Sequence, residues 1–355
     1  MNRAPEMTGY LLLADGMRLK GILHGAGRTS VGWLAANTAV VGFQEMTTDP
    51  AYKGQILAFT YPEVGNVGVA KGSWESSDLQ VAGLVVKVLS EYPSHYTAEG
   101  SFESLFSGKG VPCLSGIDTR GLAVHLREKG EMPAAIAPAD ANLERLETTL
   151  RDSGRPRYAP TEAPEVPAGS RGVKVAVLNL GIRRSQLQQL GRCCRPMIFP
   201  WDADADAILG REPAGLFVSD GPGGTLPPNK TVETLKAVVG KAPILACGLG
   251  HVALGVALGC AAEFLKRGHH GANYPVRNVL NGQVEVTQQR HTVTLRRESV
   301  AADPKVELLY ENMNDGTVEG IRTPEGRAVG LQAVLAAPEP AAANRHILEF
   351  VERCT

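Results

Sequence analysis

The chain has 355 residues, of which 43% are hydrophobic and 21% charged, with a formal net charge of −1. That length exceeds one ordinary core, so two domains are expected. A near-neutral balance lacks the basic field a nucleic-acid partner needs, and no apolar stretch approaches a membrane span. Six scattered cysteines with no C-x-x-C pair, Cys193 and Cys194 being adjacent, argue against both a disulfide framework and a structural zinc. That usage fits a reducing cytoplasm.

In chain order, the first apolar run, Tyr10 to Ala14, is too short for a signal-peptide core and is closed by Asp15. "YLLLADG", "QILAFTYP" and "VAGLVVKVLS" predict short strands broken by Gly and Pro, and "TRGLAVHLREKG" predicts a helix. "HGAGRTS", His24 to Ser30, lacks the G-K-[ST] ending of a phosphate loop and reads as a turn. Residues 1–152 therefore read as an α+β domain. The proline-rich stretch 153–172 favours an extended linker.

From 173 to 355 the pattern changes. "VKVAVLNLG" predicts a strand, "RRSQLQQLGR" a helix, "PMIFPW" a strand, and "AGLFVSDGPGG" a strand entering a Gly-rich loop. "DADADA" reads as a solvated helix start, because helix N-termini favour acids. Fully apolar strands alternating with helices predict a mostly parallel sheet flanked by helices, an α/β unit. Chemistry on such sheets gathers at the carboxyl ends of the strands, so "SDGPGG" and "CGLG" are expected to line one cleft. His269 and His270 point opposite ways in an extended segment without spaced ligand partners, so no metal and no cofactor is expected. His251 is expected to pack.

"PILACGLGHVALG", Pro243 to Gly255, has the layout of a nucleophile elbow, in which a sharp strand-to-helix turn presents one reactive side chain. Its tip, however, is Gly248. Cys247 lies one residue earlier, and strand alternation turns it toward the core. Glycine at the tip relieves backbone strain worth about 1–3 kcal/mol.

These motifs carry a family resemblance. The second half resembles a class I glutamine amidotransferase, and the whole chain resembles the small subunit of carbamoyl-phosphate synthetase. The segments that carry it are "NTAVVGFQEMTTDPAYKGQILAFTYPEVGNVG", "ESSDLQVAGLVV", "GIDTRGLAVHLREKG", "SDGPGG", "GLGH" and "GHHGANYPV". The resemblance implies glutamine hydrolysis by a thiolate, with a histidine base and an orienting carboxylate. It also implies ammonia transfer to a large synthetase subunit.

Residue by residue, the resemblance also implies losses. The family's G-x-C-x-G-H-Q run reads "ACGLGHV", placing Gly248 at the nucleophile and Val252 at the glutamine. Its Q-G-H-P-E run reads "LQAVLAA", placing Val334 at the histidine and Ala336 at the glutamate. In the substrate pocket Ala39 stands for a serine, and Arg290, Thr292 and Val293 replace Asn, Gly and Phe of an N-H-G-F segment. Gly221, Gly223 and Leu249 are kept, and the Leu249 N–H would serve an oxyanion hole.

Three functions are therefore open. The favoured one is a small subunit that has lost glutamine hydrolysis and acts as a docking or regulatory subunit of an ammonia-using synthetase. The second is a free-standing sensor or scaffold, with a small anionic ligand held near Arg290. The third is a glutamine-hydrolysing subunit serving arginine or pyrimidine biosynthesis.

Overall fold

The computed structural model describes residues 7–339 and 341–355; residues 1–6 of the expected first domain lie outside them. The chain divides into two compact units, one running to Pro156 and including Lys266–His270, the other comprising Arg157–Leu265 and Gly271–Thr355.

The first unit contains β1 (Met7–Leu13), β2 (Arg18–Gly25), β3 (Ser30–Asn37), α1 (Phe43–Thr48), β4 (Gln55–Phe59), β5 (Glu63–Val64) and β6 (Gly83–Val85). It continues through β7 (Val88–Leu89), α2 (Phe102–Phe106), β8 (Pro112–Ser115), α3 (Thr119–Lys129), β9 (Met132–Pro138) and α4 (Leu143–Arg151). The strand runs expected from the sequence close into a barrel in the order β1-β2-β8-β6-β4-β3-β9, with β9 returning antiparallel to β1. Closure satisfies strand edges that an open sheet would expose. Leu11, Leu13, Leu34, Ile56, Val85, Leu114 and Ile136 form one buried cluster, which Leu122 and Leu126 of α3 join. Alternate strand residues Phe59, Leu84 and Cys113 pack instead with Phe43 of α1 and Phe102 and Phe106 of α2. The predicted helix "TRGLAVHLREKG" is α3, and its N-terminus is capped by the Asp118 carboxylate, which accepts from the Gly121 N–H at 3.0 Å.

The second unit begins with β10 (Lys174–Asn179), α5 (Arg184–Cys193), β11 (Arg195–Pro200), α6 (Ala205–Leu209), β12 (Gly215–Val218), α7 (Asn229–Val238), β13 (Ile244–Cys247) and α8 (Leu249–Ala257). It ends with β14 (Ala262–Asn278), β15 (Val284–Leu295), α9 (Arg297–Ala302), β16 (Glu307–Asn312), β17 (Val318–Arg322), β18 (Ala328–Leu331) and α10 (Arg345–Arg353). Its sheet runs β11-β10-β12-β13-β18-β17-β16-β14-β15. The first five strands are parallel, and β17 and β16 turn antiparallel.

Both faces of the parallel part are covered, which explains the uninterrupted apolar strands. Val175, Val177, Phe217, Leu245 and Cys247 enter one buried cluster, and Ala176, Leu178, Leu216, Val218, Ile244 and Ala246 enter the other. The proline-rich segment holds no helix or strand between Ser153 and Gly172. Its start is held by Trp33, whose indole N–H donates to the Gly154 carbonyl at 3.2 Å while Arg155 stacks 3.9 Å above its ring.

Candidate functional site

The carboxyl ends of β12 and β13 are neighbours, because Leu216 pairs with Ile244 and Val218 with Ala246. Continued by two residues, that register sets Asp220 level with Gly248. Gly248 is the N-cap of α8 with φ 51° and ψ −120°, a backbone conformation in which a side chain is strained. The elbow shape expected from the sequence is therefore present, with glycine at its tip.

The space beside that tip is filled. A Cβ built on Gly248 would overlap the Asp220 carboxylate. Asp220 Oδ1 accepts hydrogen bonds from the Gly221 N–H at 2.8 Å and the Leu249 N–H at 3.0 Å. Two backbone donors aimed at one oxygen are the chemistry of an oxyanion hole, and here the oxygen belongs to the chain itself. Burial pushes the Asp220 carboxyl above the usual carboxylate range, against the opposing pull of the Leu249 N–H, the Arg183 guanidinium and the Gly221 N–H. The cleft expected between "SDGPGG" and "CGLG" is thus a meeting point closed by a side chain. Asp220 was not among the residues singled out from the sequence. Its signal was a carboxylate directly before "GPGG", just past the strand that neighbours the elbow.

Cys247 lies on the other side of the strand. Its sulfur accepts from Gln186 Nε2 at 3.1 Å and lies 3.6 Å from the Val218 carbonyl, and the residue is 1% exposed. Burial, with the Asp220 charge adding to it, pushes the thiol up to about 12. His251, in the first turn of α8, is fully buried, and burial pushes its imidazole down to about 4. It is therefore neutral near pH 7, and its Nδ1 lies so close to Gly330 that a Cβ there would come within 2.7 Å.

The remaining positions are dispersed. Val252 and Val293 belong to the buried cluster on the Ala246 face. The Thr292 N–H donates to the Gly223 carbonyl at 2.8 Å, and a Cβ on Gly223 would run into the Arg290 carbonyl, so that glycine is required by close backbone approach. The Arg290 side chain contacts Gln288, with Nη2 donating to Oε1 at 3.4 Å. Val334 and Ala336 follow β18, and the Val334 N–H donates to the Gln288 carbonyl at 2.9 Å. Both border a cavity of about 260 Å³, whose wall also includes Val276, Glu285, Tyr310 and His346; Arg290 lies outside it.

In the first unit, the Ala39 N–H donates to Asn37 Oδ1 at 2.8 Å. His270 lies there too, its Nε2 3.1 Å from Glu131 Oε1 in a buried pair.

Residues 11–136 match the profile of the carbamoyl-phosphate synthase small chain, CPSase domain, and residues 176–333 match glutamine amidotransferase class-I. The chain is 32% identical over 348 residues to the carbamoyl phosphate synthase small chain of Staphylococcus epidermidis, covering 96% of this chain and 94% of that protein. The chain belongs to the carbamoyl phosphate synthase small chain family. The small chain of Bacillus caldolyticus is similar at 33% identity over 350 residues, covering 97% of this chain and 96% of its own length. The solved structure of a glutamine amidotransferase from Thermotoga maritima overlays on 51% of this chain and 90% of its own, with TM-score 0.37 and 16% identity. Among the described residues, no helix of this family member is long and apolar enough to cross a membrane.

Proposed function

We propose that this small-chain homologue has lost glutamine hydrolysis and serves as a docking or regulatory subunit of a synthetase that draws on free ammonia. The single observation that carries this reading is the pairing of Asp220 with the elbow. A carboxylate occupies the volume that a nucleophile on Gly248 would need, and it takes both backbone donors that an oxyanion would need. An incoming amide would have to displace a buried carboxyl group that already holds those donors. The one nearby thiol, Cys247, is turned into the opposite cluster and stays protonated at neutral pH.

In the wider family reading, Gly248, Val334 and Ala336 stand where the cysteine, histidine and glutamate act, and none of the three carries a group that could attack, accept a proton or orient a base. The partner in this proposal is the large synthetase chain, and the regulatory action is on that chain's own use of ammonium.

The test is carbamoyl phosphate formation by the cognate large chain, with and without this protein, supplied with glutamine or with ammonium. The proposal expects ammonium-dependent activity that this chain raises, and no glutamine-dependent activity. Product from glutamine would return the chain to the glutaminase reading, and no effect with either nitrogen source would leave it without a synthetase role.

A further inference from the structure

A second constellation lies in the first unit, far in sequence from the elbow. Ser115 ends β8, and β2 runs antiparallel beside it with Ile22 opposite Ser115 and His24 opposite Cys113. Because side chains two apart share a face, His24 and Ser115 are diagonal neighbours on the same side of the sheet. The contact is direct: His24 Nε2 lies 2.8 Å from Ser115 Oγ. The other ring nitrogen, Nδ1, lies 3.3 Å from Glu103 Oε1. Glu103 comes from the first turn of α2, whose Phe102 and Phe106 anchor it in the aromatic cluster beneath.

The three groups form a hydroxyl–imidazole–carboxylate series, joined through the two different nitrogens of one ring. That connectivity is what nucleophilic catalysis by serine requires, since the carboxylate fixes the tautomer that leaves Nε2 able to take the hydroxyl proton. Serine is recessed at 7% exposure, the imidazole is 24% exposed and the carboxylate 42% exposed, so the series leads from solvent inward. Cys113, opposite His24, is fully buried and its thiol is pushed up by burial and by the Glu103 charge, which leaves Ser115 as the available nucleophile. With Ser115 only 7% exposed, its hydroxyl suits a small acyl group better than a bulky one.

We propose that Ser115, His24 and Glu103 form an acyl-ester hydrolysing site in the barrel unit, independent of the elbow. Ser115 Oγ bonds to the acyl carbon of a small ester while its proton passes to His24 Nε2. The ester C–O bond breaks, and that proton leaves with the alcohol. Water, deprotonated by the same nitrogen, then attacks the acyl-serine, releases the acid and restores the hydroxyl.

The full-length chain is treated with an alkyl fluorophosphonate and, separately, with p-nitrophenyl acetate. The expected result is one phosphonyl adduct, mapped to Ser115 by peptide mass spectrometry, and ester turnover lost in Ser115→Ala. His24→Ala lowers the labelling rate about a hundredfold or more, the usual worth of a positioned base. Because Glu103 is 42% exposed and glutamine keeps its shape, Glu103→Gln keeps the fold, checked by an unchanged unfolding temperature. It shifts the pH profile of labelling, which a merely structural contact would not do. Absence of an adduct on Ser115 in the wild-type chain overturns the proposal. So does a folded His24→Ala or Glu103→Gln protein with wild-type rate and pH profile. No large synthetase chain enters these assays, so their outcome is separate from that of the proposed synthetase role.

Discussion

The Asp220 carboxylate stands where the first side-chain carbon of any residue at position 248 would be placed. The two residues follow the ends of neighbouring parallel strands, and the only side chain compatible with that carboxylate is none. Gly248 and Asp220 are therefore one structural decision, coupled through shared space and through the Leu249 and Gly221 N–H groups. A substitution at either position is read by the other.

Gly248→Cys is accordingly expected to yield a destabilised protein without glutaminase activity. The positive φ alone costs about 1–3 kcal/mol, and displacement of the carboxylate adds to it. Asp220→Gly/Gly248→Cys removes the overlap and recovers part of the loss. Urea unfolding of both single variants and the double variant measures this as a coupling energy of about 0.5–3 kcal/mol. Additive effects would mean that the carboxylate swings away at no cost.

The pH dependence of Asp220 has a definite sign. Its folded carboxyl sits above the usual range, so the native chain holds that proton to higher pH than the unfolded chain does. The stability this group contributes is complete below the unfolded carboxylate range and is lost as pH rises through the folded value. Asp220→Asn keeps an acceptor oxygen and removes the titration. The melting temperature of Asp220→Asn relative to wild type is expected to rise between pH 4 and pH 8. A difference that shrank over that interval would show Arg183 outweighing burial.

His251 titrates in the opposite sense. Burial holds it near 4, so its contribution is present above the unfolded histidine value and is lost as pH falls from about 6.5 toward 4. The shift corresponds to about 3 kcal/mol of acid sensitivity from this one buried ring. His251→Gln is expected to flatten the pH dependence of the urea midpoint across that window, at some cost in packing near pH 7. An unchanged slope would assign acid unfolding to other groups.

Cys247 should behave as core. With its thiol near 12 and 1% exposed, it is expected to resist iodoacetamide at pH 8 in the native chain and to react only after denaturation. Cys247→Ala is expected to leave any carbamoyl phosphate synthesis with the large chain unchanged while costing about 1–2 kcal/mol in stability. Peptide mapping of alkylated native protein checks the first expectation, and rapid native labelling of Cys247 would reopen it as a nucleophile.

Much of the architecture was legible because it rests on local periodicity. Continuous apolar runs such as "VKVAVLNLG" mean a strand covered on both faces, and β10 is covered on both faces. Alternation along β13 sends Leu245 and Cys247 to one cluster and Ile244 and Ala246 to the other, a rule that needs no tertiary information. Glycine at the elbow tip and its positive φ follow from the same local logic.

What periodicity could not supply is which distant side chain fills a given space. Asp220 and Gly248 are 28 positions apart in the chain, and they meet because β12 and β13 pair in one register, a choice made by the whole sheet. His24, Glu103 and Ser115 are brought together by a barrel whose closure joins β2 to β8 and lays α2 against it. Strand alternation is a property of the backbone and is written in every local window. Strand order and register are set by the summed packing of elements far apart, so the occupancy of the elbow was decided only when the chain folded.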